Sequence, residues 1–231
     1  MIHAGLPITN ALSRPNSNTS KFPFGTLGGF AKDLRSGKTV GITTFHSVHT
    51  RELPWKTFEA EEIEDQSLLN VVMVSADHFQ TTPIGKISRT FFDTKIEAAL
   101  IEFDPDFLPG GTPTDVQTCH FSRPEKDEKV TKIGARTQTT ENYYISILEE
   151  KEGFKYSGRT KNHQFSRLMS IKNPPNDRFV ERGDSGSLIK FKDKIAGMVL
   201  GINEERSLAF GMHAFLLKHK LNITFLNHTT S

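Results

Sequence analysis

The segment Arg182-Gly183-Asp184-Ser185-Gly186-Ser187-Leu188-Ile189 sets one serine between two glycines and runs straight into an apolar strand. Glycines here let the backbone take conformations that a Cβ forbids, so a reacting carbonyl can approach the Ser185 hydroxyl and the neighbouring peptide N–H groups. A serine hydroxyl is a weak nucleophile unless a base takes its proton and a third group orients that base. Upstream, His46 follows the apolar run Gly41-Ile42-Thr43-Thr44-Phe45, and Glu97 opens Glu97-Ala98-Ala99-Leu100-Ile101. His46 is the candidate base and Glu97 the candidate orienting acid. Asp93, four residues earlier and of the same strand parity, is the alternative acid. The backbone N–H groups of Gly183 and Ser185 are the candidate oxyanion donors. This set would open an acyl bond through an acyl-enzyme, and it calls for no cofactor and no metal ion.

Glu97 lies 51 residues after His46 and 88 before Ser185. The order His, acid, Ser is that of chymotrypsin-type barrels, and it differs from the orders of subtilisins and α/β-hydrolases. The α/β-hydrolase elbow Gly-x-Ser-x-Gly is also unmatched, because position 187 is Ser. The chain resembles the chymotrypsin-like (trypsin-fold) serine peptidases at several places in the right order. Gly183-Asp184-Ser185-Gly186 looks like their nucleophile motif, and Thr43-Thr44-Phe45-His46-Ser47 stands where they carry Thr-Ala-Ala-His-Cys. Glu97-Ala98-Ala99-Leu100-Ile101 is similar to their Asp-x-Ala-Leu strand, with Glu in place of Asp. Ala196-Gly197-Met198-Val199-Leu200-Gly201 resembles the strand that follows their serine, and Lys132-Ile133-Gly134-Ala135-Arg136-Thr137 a stretch early in their second barrel.

The resemblance spans roughly residues 22 to 223 and implies an all-β fold. It implies two six-stranded antiparallel β-barrels packed face to face, with a short C-terminal helix. It also frames a substrate site from Phe179, Glu181, Leu200, Gly201 and Ile202. Phe179 stands where trypsin-like relatives hold the Asp that attracts Lys or Arg, and Val199 where readers of Glu or Gln hold a His. An apolar or small side chain before the cut is therefore expected, with Glu181 either reaching the site or facing solvent. No Ile-Val-Gly-Gly start is present, so Asp184 needs some partner other than a freshly cut N-terminus.

Length and charge narrow the classes. A chain of 231 residues can bury a sizeable core as one domain or two small ones. Its net charge of +2 makes no case for a phosphate-binding surface, so nucleic acid is not expected as a partner. No apolar run reaches membrane-spanning length, and Met1–Pro7 lacks a signal-peptide layout. Cys119 is the sole cysteine, so no intrachain disulfide can form, and a reducing, cytoplasmic setting is expected. Three Asn-x-Ser/Thr triplets, at Asn18, Asn222 and Asn227, point the other way, but such short triplets are common by chance.

The elements that must position the site read as strands. Residues 1–21 are polar and read as a flexible leader or linker. Residues 22–108 would form the first barrel, with His46 and Glu97. There Phe24–Asp33 and Lys38–Thr44 flank a hairpin turn, His46 ends the second of these strands, and Leu69–Val74, Pro83–Thr90 and Lys95–Phe103 follow. The acidic run Phe58–Asp65 is a solvated loop or a cation site. Asp104–Pro113 is dense in Pro and Gly and reads as the crossover. Residues 109–231 would form the second barrel with Ser185, and Phe215, Leu216 and Leu221 give the helix that closes it.

Three functions fit. The first is a serine endopeptidase acting on a protein or peptide, as the protease domain of an intracellular effector or processing protein. An activating partner protein or adjoining domains belong to that reading. The second is a catalytically silent or latent module that binds peptides or partners in the same cleft. The third is an esterase acting on small acyl groups.

Overall fold

Short runs of β-branched and aromatic residues, broken by Gly, Pro, Asn and Asp, build strands throughout this chain. The computed structural model describes residues 2–14, 23–78, 80–107, 112–118, 124–149, 152–154 and 163–229. The strands of the first half are β1 (Pro7–Asn10), β2 (Gly25–Thr26), β3 (Gly29–Asp33), β4 (Thr39–Thr43), β5 (Phe58–Glu59), β6 (Asn70–Val74), β7 (Thr81–Phe92), β8 (Glu97–Phe103) and β9 (Thr112–Asp115). Those of the second are β10 (Lys129–Gly134), β11 (Gln138–Leu148), β12 (Glu152–Phe154), β13 (His163–Phe165), β14 (Leu168–Lys172), β15 (Leu188–Phe191), β16 (Lys194–Asn203), β17 (Leu208–His213) and β18 (Ile223–Thr229). Helix α1 (Phe45–Val48) follows β4, and α2 (Ala214–Leu221) joins β17 to β18.

Strands β10, β11, β14, β17, β16 and β15 pair in that order, and β15 returns to β10 to close a six-stranded barrel. The first half builds a curled ten-stranded sheet in the order β2-β1-β6-β7-β8-β4-β3-β18-β9, with β5 set against β7. The expected all-β architecture with a C-terminal helix is present. The first unit gathers more strands than a six-stranded barrel, and two of them come from the ends of the described chain. β1 arises from the stretch read as a polar leader. Ile8 is fully buried there, and the Asn10 amide donates to the carbonyls of Val48 at 3.1 Å and Leu68 at 2.7 Å. The polar composition serves internal hydrogen bonds rather than solvent, which is why it misleads. β18 pairs with β3 and β9, so the chain after α2 returns to the first sheet.

The described residues form three apolar clusters. One lies inside the first sheet around Phe45, Phe58, Ile87 and Ile101, and one inside the barrel around Phe179, Ile189 and Val199. The third joins the two units, bringing Ile42 and Leu100 together with Met198, Phe210 and the α2 residues Leu217 and Leu221. Strand β8 borders two of these clusters, so it reads as a nearly unbroken apolar run rather than an alternating one. The acidic run forms β5 and a single 3-10 turn, Ala60–Glu62. Among the described residues no group of His, Cys, Asp and Glu is placed to hold a metal ion.

Candidate active site

Register brings the base and the acid together. On β8, Ala99 pairs with Thr43 of β4, so Glu97 lies two residues beyond, level with the end of β4 where the chain leaves for α1. β4 ends at Thr43, and His46 sits on a one-turn helix rather than at the strand end expected from sequence. Phe45 and Val48 are fully buried and anchor that turn, while the His46 side chain keeps 19% exposure. The Phe45 ring stands edge-on to Trp55 at 5.3 Å and to Phe58 at 5.8 Å. His46 Nδ1 and Glu97 Oε1 form a short hydrogen bond, and Glu97 is completely buried. Its other oxygen, Oε2, has no hydrogen-bond partner among the described residues. Asp93 is occupied elsewhere. Its Oδ1 accepts the backbone N–H groups of Lys95 at 2.7 Å and Ile96 at 2.9 Å, which closes the turn before β8. His49, three residues after His46, is half-buried against Trp55, with ring centroids 4.1 Å apart.

Ser185 follows a tight turn that only glycine permits. The Asp184 N–H donates to the Glu181 carbonyl at 3.0 Å, and Gly183, third in that turn, has φ +109°. With Arg182, the second residue, outside the positive-φ region, a positive φ at the third position makes this a type II turn. A type I turn would place Gly183 at negative φ and swing its N–H to the opposite side. The first sheet grips this turn from outside. Thr26 donates its hydroxyl to the Gly183 carbonyl at 2.8 Å and its N–H to the Ser185 carbonyl at 2.8 Å. The Ser47 hydroxyl also reaches the Ser185 carbonyl, at 3.4 Å. On the barrel side, the Gly186 N–H donates to the Val199 carbonyl at 2.9 Å. The Ser185 hydroxyl itself donates to the Leu200 carbonyl at 3.2 Å.

The partner of Asp184, which sequence left unnamed, is Lys132. Both side chains are fully buried, with Nζ 3.3 Å from Oδ2. Oδ1 accepts the N–H groups of Arg136 at 2.9 Å and Thr137 at 3.1 Å; Oδ2 accepts the Thr137 hydroxyl at 2.8 Å and the Glu181 N–H at 3.0 Å. Gly134 makes room for this, because a Cβ there would lie 2.3 Å from Asp184 Oδ1. Burial pushes the Lys132 ammonium below the ordinary lysine range, while the Asp184 charge pulls it back up. The Lys132–Thr137 stretch was visible in sequence, but its role depends on folding the β10–β11 hairpin against the nucleophile turn. Thr26 and Ser47 carried no comparable signal.

Of the positions expected to frame the substrate, Glu181 lines an open groove beside the turn, with Phe24, Arg136, Arg178, Arg182 and Glu204. Phe179 is fully buried in the barrel core and Leu200 nearly so, while Gly201 and Ile202 are half-buried on β16. No protein-family model and no curated protein matches the chain. Solved structures match it over almost its whole length. The Nocardiopsis protease NAPase covers 97% of this chain and 98% of its own, at TM-score 0.57 and 13% identity. Protease A of Thermobifida fusca covers 99% of each chain at TM-score 0.59 and 14% identity. The fold is that of the chymotrypsin-like serine proteases. A glutamic acid-specific serine protease with a histidine triad in substrate binding matches 97% of this chain and all of its own, at TM-score 0.60 and 12% identity. Within this chymotrypsin-like frame Glu97 comes from β8, His46 from the helical turn after β4, and Ser185 from the turn before β15 of the barrel. Cys119 lies outside the described residues.

Proposed function

We propose that the chain is a serine endopeptidase. The observation that carries the reading is the buried carboxylate of Glu97 on His46 Nδ1, combined with a serine on a glycine-built turn in a protease fold. Glu97 fixes the imidazole tautomer with the proton on Nδ1, which leaves Nε2 as the acceptor. Ser185 Oγ gives up its hydrogen bond to the Leu200 carbonyl, passes its proton to His46 Nε2 and bonds to the substrate carbonyl carbon. The N–H groups of Gly183 and Ser185 take the oxyanion, and loss of one such donor typically costs about 3 kcal/mol of transition-state stabilisation. His46 then protonates the leaving amine as the C–N bond breaks, and water, deprotonated by His46, releases the acyl group from Ser185. No cofactor enters any step. A single cysteine supports assignment to a reducing, cytoplasmic compartment, within an effector or processing protein.

A second reading, a latent or silent module, draws on the Ser185 hydroxyl resting on the Leu200 carbonyl. The turn favours the active reading, since the Glu181–Asp184 hydrogen bond and the Thr26 hydroxyl on the Gly183 carbonyl fix its peptides from within the chain. A fluorophosphonate probe read by intact mass separates them. The wild type should gain one adduct, Ser185→Ala none, and His46→Ala should label at least about a hundredfold more slowly. A folded wild type that takes no label would sink the endopeptidase reading. Hydrolysis of a nitrophenyl ester without cleavage of casein would shift it to the esterase.

A further inference from the structure

The groove beside the nucleophile turn has a volume of about 490 Å³ and is lined by Phe24, Arg136, Arg178, Glu181, Arg182 and Glu204. Four separate segments converge on it: the approach to β2, the β10–β11 turn, the loop that leads to Ser185, and the β16–β17 turn. It starts at the turn itself. Arg182 immediately precedes Gly183, and the Phe24 ring packs so closely that a Cβ on Gly183 would lie 2.6 Å from it.

Its charges are unevenly matched. Arg136 and Glu181 form an ion pair at 3.4 Å, half in solvent. Arg178 and Arg182 are exposed and have no ion-pair or hydrogen-bond partner through their side chains among the described residues. Glu204 is the one remaining carboxylate among the described residues of the lining. Two guanidiniums thus face a concave surface within a few residues of Ser185. A guanidinium presents a planar fork of donors that fits a carboxylate in two parallel hydrogen bonds, and it repels a lysine or arginine.

We infer that this groove selects substrates carrying an acidic side chain, Asp or Glu, within a few residues of the scissile bond, with Arg178 and Arg182 as the specificity residues. The inference rests on the endopeptidase reading for its substrate, and it adds an acidic position to the apolar or small side chain expected immediately before the cut. Glu204 opposes the bound carboxylate, so its neutralisation strengthens the preference.

The test uses positional peptide pools that differ only in a fixed Glu, Gln or Lys. Cleavage by the wild type should favour Glu over Gln by about fivefold at low salt, the scale of an exposed ion pair, and the ratio should shrink towards one in 0.5 M NaCl. Arg182→Glu together with Arg178→Glu should invert the order towards Lys, and Glu204→Gln should raise the Glu/Gln ratio. Circular dichroism checks that each variant folds. Retention of the same pools on immobilised Ser185→Ala gives a readout that needs no catalysis. Equal treatment of Glu and Gln by a wild type that accepts the fluorophosphonate overturns this inference and leaves the peptidase reading standing. Preferential retention of Glu pools by a chain that never labels supports the groove and overturns the peptidase reading. Indifference of the Glu/Gln ratio to the arginine reversals would also overturn the inference.

Discussion

Glu97 is the residue on which this site departs from its resembled family, and the departure is one methylene. The longer side chain still brings Oε1 to His46 Nδ1, with the carboxylate wholly buried at the start of β8. Oε2 is left buried without a partner among the described residues, so the carboxylate stands there at some cost to stability. A group kept for chemistry and a group kept for packing respond oppositely to neutralisation. Glu97→Gln should lower kcat/KM by about 10³- to 10⁴-fold, as loss of the orienting carboxylate does in the general triad, without lowering Tm. Glu97→Asp should retract the oxygen from the imidazole and cost roughly 10²-fold, the scale of a 1 Å misplacement. Parallel turnover and thermal melts decide it. A loss of Tm in step with activity would make Glu97 a structural carboxylate. The three triad candidates were legible because nucleophilic chemistry tolerates few residue types in a fixed order. Choosing Glu97 over Asp93 needed the β4–β8 register, since parity alone allowed both.

At the scale of elements, the site depends on a hairpin that carries none of the triad candidates. The β10–β11 turn places Lys132, Arg136 and Thr137 around the Asp184 carboxylate, and the carboxylate in turn ties down the Glu181 N–H at the head of the nucleophile turn. Strand runs such as β4, β6, β8 and β16 could be read from their β-branched and apolar runs. The lysine–aspartate pair could not, because it joins positions 52 residues apart through tertiary contact alone. β1 was hidden for a related reason: its Asn and Thr bond inward, and composition does not say which way a polar group points. Removing one member of a buried pair strands the other. Lys132→Met should therefore cost about 3–5 kcal/mol and slow fluorophosphonate labelling, whereas Lys132→Met with Asp184→Asn should recover part of that stability. Urea unfolding of the two single variants and the double variant measures the coupling. Additive losses would show that the two side chains act independently.

At the scale of the whole molecule, His213 stands where the two units meet. It ends β17, pairs across to Gly197 of β16, and leads into α2, whose Leu217 and Leu221 fill the cluster shared by sheet and barrel. From α2 the chain passes into β18 and so into the first sheet, where Arg89 fastens the junction by donating to the Leu221 carbonyl and to Asp33 Oδ1. Burial, helped by the Arg167 charge, lowers the His213 imidazole to about 4. The unfolded chain takes up this proton near pH 6.5, and the folded chain holds it off until about pH 4. Between those values the unfolded state binds more protons, so stability rises with pH. The contribution is complete above pH 6.5, and on the order of 3 kcal/mol is lost as pH falls through that window. Because His213 lies on the connection between the units, its protonation should loosen both together. The wild type should melt in a single transition whose Tm falls from pH 7 to pH 4.5, and His213→Gln should flatten that fall. A gap between wild type and variant that stays constant with pH would remove His213 from the acid response. Two separated transitions at pH 4.5 would show that the sheet and the barrel come apart there.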